Sequence, residues 1–93
     1  MNHEIIVKYL EQQKVPFSLT GFNYLVCAIM FAYENGSPLQ MMGIYEQVAD
    51  LTGDKPTAIE RTMRYAISKT GQKVHVKEFI ARALHYLGNA EVK

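Results

Sequence analysis

Two stretches that each carry a helical stripe are separated by Gly53-Asp54-Lys55-Pro56, and four residues leave room for a tight turn and nothing larger. Glycine is the usual residue at the left-handed position that ends a helix, and proline suits the first turn of the next. Upstream, Tyr45 to Thr52 reads as a short helix ended by Gly53. Downstream, Asp54 to Lys69 places Ile59, Met63, Ala66 and Ile67 at i, i+4, i+7 and i+8, the stripe of a helix that buries one side. Asp54 is placed to cap that helix or to oppose its positive end. Two helices joined this closely make a helix-turn-helix: Ala49 is small where the helices cross, Gly53 makes the turn, and Ile59 packs the second helix back onto the first. Any fold for the chain must be built around this pair.

The other face of the second helix carries Thr57, Ala58, Arg61, Arg64, Tyr65 and Ser68. Such groups suit base edges and phosphates, although an ordinary solvated helix face looks similar. The distribution of charge separates the two readings. The formal net charge is only +1. Residues 1–54 nevertheless hold two lysines against six carboxylates, a net of −4, and residues 55–77 hold six cations against Glu60 alone, a net of +5. The basic pole coincides with the second helix, which is where a DNA-binding surface needs it. Lys55, Ser68, Lys69, Lys73 and Lys77 are the expected phosphate contacts, with Thr57, Ala58, Arg61, Arg64 and Tyr65 facing bases. The Arg61 fork matches the two acceptors of a guanine edge. Glu60 either accepts from a cytosine amine or pairs with Arg64 one helical turn on.

The rest of the chain is helical as well. His3 to Lys14 reads as a first helix with Ile5, Ile6, Tyr9 and Leu10 inward, broken by Val15-Pro16 because the residue before proline is pushed out of the helical region. Ser18 or Thr20 is expected to cap a second helix running to about Glu34. That helix is apolar nearly all round, the mark of a central element. Ser37-Pro38-Leu39-Gln40 has the form of a capping box, and Met41, Ile44, Val48 and Leu51 continue a stripe that Gly43 is expected to interrupt. Thr70-Gly71-Gln72-Lys73 reads as a loop with a basic tip. A last helix from Val76 turns Phe79, Ile80, Ala83, Leu84 and Leu87 inward and ends at Gly88-Asn89. No stretch alternates at period two, so the fold class is all-α: five to six helices packed around a helix-turn-helix, without the strands of a winged helix, in one domain spanning 1–93.

Other functions find little support. The sequence has no Gly-rich phosphate loop, no Cys/His metal spacing and no Ser or Cys nucleophile motif, and His3, His75 and His85 are scattered. Neither an enzyme nor a bound cofactor or metal is expected. The longest apolar run, Tyr24 to Tyr33, is far short of the roughly 20 residues that span a bilayer, so no membrane role is expected. The lone Cys27 is read as a small buried hydrophobe in a reducing cytoplasm.

Gly21-Phe22-Asn23-Tyr24-Leu25, Ala28-Ile29, Tyr45 with Val48-Ala49, Pro56 through Ile67 and Glu78-Phe79-Ile80-Ala81 together resemble the DNA-binding effector domain of the sporulation-initiation response regulator family. The resemblance runs from about Val15-Pro16 to Leu87, and its most specific part is residues 59–67. It implies an all-helical fold that reads a short asymmetric DNA site through this run. Glu60 and Arg61 would approach bases, Arg64 would hold backbone or base, and Tyr65 stands where the family often has histidine. Ala58 departs from the family's usual basic residue, and the 71–76 segment is shorter than its counterpart. The phosphorylatable receiver domain that precedes this domain in the family is not in the sequence. The chain is therefore expected to be either an excised fragment or a stand-alone protein that aspartyl phosphorylation cannot switch.

The expectation is a sequence-specific DNA-binding transcriptional regulator, cytoplasmic and nucleoid-associated, with double-stranded DNA as its partner and the 56–69 helix in the major groove. Binding as a homodimer or in tandem and contact with a protein of the transcription machinery are further expectations; Tyr33, Tyr45 and Tyr86 either support such a self-contact or form the rim of the core. The alternative is a protein-interaction module that keeps the fold and docks through the basic 55–77 surface.

Overall fold

Apolar spacing decides which segments are helical, and packing decides where they begin and end. The computed structural model describes residues 3–36 and 39–92, with side chains as far as Gly88. In these residues the chain forms five α-helices and no strand: α1 His3–Gln12, α2 Thr20–Asn35, α3 Met41–Thr52, α4 Pro56–Ser68 and α5 Val76–Val92. The all-α reading holds.

The expected central helix is α2, which packs against all four others. Phe22, Leu25, Val26, Ala28, Ile29 and Ala32 are buried along it, so apolar residues recur on nearly every side. Ile6, Tyr9 and Leu10 of α1 and Phe79, Ile80, Ala83 and Leu87 of α5 join the same core, while Ile5 and Leu84 pack against its margin. Phe22 and Phe79 are among the largest side chains sealed from solvent.

Several helix ends differ from expectation, each for a local reason. Helix α1 stops at Gln12 and not at Lys14. Lys14 adopts a left-handed conformation, φ 67°. Its N–H bonds the Glu11 carbonyl at 3.0 Å and the Val15 N–H bonds the Leu10 carbonyl at 3.1 Å. That pair of bonds is a Schellman motif, which closes the helix before the proline can act.

Neither Ser18 nor Thr20 caps α2: Leu19 precedes the first helical residue and no side chain caps the end. Leu19 packs against the core, so burial fixes this end. Of the expected capping box, Ser37 and Pro38 lie outside the described residues. Gln40 precedes α3 in an extended conformation, φ −115° and ψ 97°, and does not act as a capping residue inside the helix.

Gly43 does not divide α3, which is unbroken: Met41 packs against the core margin before the glycine, and Ile44 and Val48 are buried after it. Leu51 leaves the stripe and is 64% exposed. Helix α5 passes through Gly88-Asn89 to Val92. A mid-helix glycine costs only about 1 kcal/mol against alanine, too little to end a helix anchored by Leu87.

Candidate nucleic-acid interface

The turn between α3 and α4 is built as the sequence implies. Gly53 is left-handed, φ 80° and ψ 4°, and its N–H bonds the Ala49 carbonyl at 2.8 Å. A Cβ at Gly53 would meet nothing within 4 Å, so the need for glycine is conformational and not steric. Thr52 closes the end of α3 by donating its hydroxyl to the Val48 carbonyl at 2.8 Å.

Asp54 plays a part that differs from a helix cap. One carboxylate oxygen accepts the Lys55 N–H at 2.9 Å, and the other accepts the Tyr24 hydroxyl at 3.0 Å. The residue before α4 is Lys55, in extended conformation, with no side chain on the first helical amides and Pro56 at the first position. Asp54 thus ties the turn to α2. Tyr24, read as part of an apolar helix, supplies the hydroxyl that a phenol at a core margin must satisfy.

Behind α4, Ile59, Met63, Ala66 and Ile67 are buried as expected. Ala49 is buried on the α3 side, and a further close approach, not singled out in the sequence, lies at Gly21 of α2. A Cβ there would lie 2.6 Å from the Ala66 Cβ and 2.6 Å from the Thr62 carbonyl oxygen. The backbone of α2 approaches α4 directly at Thr62 and Ala66, which holds the second half of α4 against the core.

The outer face of α4 is presented to solvent: Thr57, Arg61, Arg64, Tyr65 and Ser68 are exposed, and Ala58 and Glu60 are partly covered. Helical spacing puts Thr57, Arg61 and Ser68 along the middle, Glu60 and Arg64 on one flank, and Ala58, Tyr65 and Lys69 on the other. Lys55, Lys69, Lys73 and Lys77 are exposed around this face. Of the residues the sequence reading singled out for DNA contact, all but Lys73 and Lys77 lie on α4 or directly at its ends; Lys73 is in the following loop and Lys77 in the first turn of α5.

Their partners differ. Arg64 pairs with Glu60 at 3.5 Å, so the i, i+4 alternative for Glu60 is realised in the unbound protein. The Lys69 ammonium lies 4.8 Å from the centre of the Tyr65 ring, a cation–π contact. The Ser68 hydroxyl donates to the Tyr65 carbonyl, which uses the proton it would offer a phosphate. Arg61 has neither an ion pair nor a hydrogen bond among the described residues. It is the unengaged fork at the centre of the face.

Two clefts flank the Glu60–Arg64 edge. One, of about 310 Å³, is lined by Met42, Tyr45, Pro56, Thr57, Glu60, Arg61 and Arg64. The other, of about 220 Å³, runs between α3, α4 and the start of α5 and is lined by Tyr45, Glu60, Arg64, Val74, His75, Val76 and Lys77. Tyr45 is common to both and is partly buried, the rim alternative of the sequence reading. Burial raises its phenol pKa first and Glu60 adds to the rise, while Arg64 opposes it. The sequence signal for this role was weak, because a tyrosine at the margin of a helical stripe reads as core or surface alike.

The loop after α4 is also fixed. Thr70 donates to the Ile67 carbonyl at 2.6 Å, Gly71 is left-handed with φ 83°, and the Gln72 amide nitrogen donates to the Gln13 side-chain oxygen at 3.0 Å. Lys73 follows directly on this anchored segment. Among the described residues no three His, Cys, Asp or Glu side chains gather as a metal site would require. No helix there is long and apolar enough to cross a membrane.

Among curated proteins and solved structures, none matches the chain. The family described as "Sporulation initiation factor Spo0A C terminal" matches residues 6–91. A match over nearly the whole sequence shows the family: the chain belongs to the C-terminal domains of sporulation initiation factors, the DNA-binding effector domains of sporulation transcription factors.

Proposed function

We propose that residues 1–93 act as a single helix-turn-helix domain that binds double-stranded DNA in a sequence-specific way and regulates transcription, with α4 in the major groove. The observation that carries this is Arg61, a guanidinium without a partner at the centre of the exposed face of a helix held rigidly from behind. An Arg fork in that position can bond both acceptors of a guanine edge. Thr57 and Ala58 lie a turn nearer the start of α4, where base contacts concentrate in helix-turn-helix proteins. Glu60 and Tyr65 complete the base-facing set, with Arg64 at its edge holding a base or the backbone. Lys55, Ser68, Lys69, Lys73 and Lys77 surround it as phosphate contacts. For Ser68 this requires giving up the bond to the Tyr65 carbonyl. The nucleoid is then the place of action, and the exposed Tyr33 and Tyr86 are the aromatic residues for contact between copies bound side by side.

The test is a fluorescence-anisotropy titration with duplexes enriched from a random pool by the wild-type protein, each set beside a scrambled duplex. Arg61→Ala should weaken the enriched duplex by about 1–3 kcal/mol and the scrambled one far less. Equal losses on both would remove Arg61 from base reading.

One observation favours a second reading. Met42 is 68% exposed at the mouth of the larger cleft, and an apolar side chain there beside the basic 55–77 surface suits an acidic protein partner, such as one in the transcription machinery. Absence of duplex binding at low salt would select that reading.

A further inference from the structure

The smaller cleft lies outside the base-facing centre of α4, yet it gathers donors from three helices. Tyr45 comes from α3, Arg64 from α4, and His75 and Lys77 from the entry to α5. Segments this far apart in sequence converge only through the tertiary fold. Among the described residues the Tyr45 hydroxyl makes no hydrogen bond. Tyr45 is partly buried and lines the cleft beside Glu60 and Arg64 of α4.

We infer that this cleft is a seat for one backbone phosphate of duplex DNA, bound jointly by the Tyr45 hydroxyl, the Arg64 guanidinium and the Lys77 ammonium. The inference rests on the proposed insertion of α4 into the major groove. With Arg61 over the base edges, the Glu60–Arg64 flank faces one wall of the groove, and the cleft opens along that flank. A phosphate there has acceptors for a neutral O–H donor, a planar fork and a compact ammonium at once. Cleft size is sufficient, since about 220 Å³ leaves room for a phosphate with its water.

Glu60 is the opposing group, since its carboxylate lines the same cleft and repels an anion. It is paired with Arg64 at 3.5 Å, and the guanidinium carries five N–H donors, so one edge can keep Glu60 while the other takes the phosphate. Tyr45 is on this account a binding residue of the first helix of the pair, which in helix-turn-helix proteins crosses the DNA backbone.

The test uses the full chain and the enriched duplex with single methylphosphonate replacements, each of which makes one phosphate neutral. For the wild type, one replaced position on the groove wall should weaken binding about tenfold, equivalent to about 1.4 kcal/mol. Tyr45→Phe and Lys77→Gln should each weaken the unmodified duplex by a similar factor, on enriched and scrambled sequences alike, because phosphate contacts do not read sequence. Both variants should then lose most of their sensitivity to replacement at that one position and keep it elsewhere. Only Lys77→Gln should make the slope of log K against log salt shallower, by about 0.9, since a phenol releases no counterion.

Thermal melting checks that Tyr45→Phe is folded. Lys77 is exposed, so Lys77→Gln carries the test if the tyrosine variant is not. Wild-type affinity in both variants, or an unchanged methylphosphonate pattern, overturns the phosphate seat while leaving major-groove binding intact. Failure of the wild type to bind any duplex overturns both.

Discussion

Adding one methyl group at Gly21 tests how α4 is held. An alanine Cβ there would sit 2.6 Å from the Ala66 Cβ and 2.6 Å from the Thr62 carbonyl oxygen. Carbon–carbon contacts are comfortable at about 3.5–4.0 Å, so α2 and α4 must separate by something on the order of 1 Å. Neither neighbour can swing aside. One is a backbone carbonyl, and the other is a side chain with no rotamer to change. Overpacking of this kind costs about 1–3 kcal/mol. The helix-propensity gain of alanine over glycine offsets at most about 1 kcal/mol, and less here because Gly21 is the second residue of α2. The net loss is expected at roughly 1–2 kcal/mol, a fall in melting temperature of about 4–16 °C for a domain of this size.

Gly43→Ala is the matched control. A Cβ there meets nothing within 4 Å, and the residue lies inside α3, so up to about 1 kcal/mol should be gained. Circular-dichroism melts of the two variants should therefore move in opposite directions. A Gly21→Ala protein as stable as wild type would refute the claim that backbone contact with α2 fixes α4, and with it the rigidity assigned to the outer face.

Gly53→Val should cost about 1 kcal/mol or more through backbone strain alone, and an unchanged melt would mean the turn relaxes. Lys14→Gly should gain about 0.5–1 kcal/mol, because a left-handed lysine ends α1, and a loss would contradict the Schellman geometry. If three to five lysines and arginines engage phosphates, the salt slope on duplex DNA should be roughly −3 to −4.5, and a slope near zero would exclude electrostatic docking on DNA. Burial raises the Cys27 thiol from its ordinary 9.0 and the Tyr9 phenol from its ordinary 10.0. The folded chain therefore holds these protons more tightly than the unfolded one, and stability should be constant at neutral pH and fall as pH rises past about 9, where the unfolded groups ionise first. Denaturant midpoints that rise between pH 8 and 10.5 would contradict the sign, and Cys27 should alkylate more slowly in the folded chain than in the unfolded one.

The family is legible in the run from Pro56 to Ile67, and so is the helical class, because stripes such as Ile59, Met63, Ala66 and Ile67 carry their period in the chain itself. Gly53 is readable for a similar reason, since a left-handed residue between two stripes is a local requirement. Helix ends were read less well. The capping signal at Ser18 or Thr20 lost to burial of Leu19, and the stop signal at Gly88 lost to the anchoring of Leu87. Local preferences of about 1 kcal/mol yield wherever a large side chain enters the core. The residues of the outer face are likewise visible in sequence, but their partners are not. Periodicity alone could not say that Glu60 holds Arg64, that Lys69 covers Tyr65, or that Arg61 is left without a partner. Least visible were the contacts between distant segments: the Tyr24 hydroxyl on Asp54, the backbone of Gly21 against Thr62 and Ala66, and the meeting of Tyr45, Arg64, His75 and Lys77 around one cleft. Such contacts depend on the angles at which helices cross, which follow from the packing of the whole core and from no single stretch of chain.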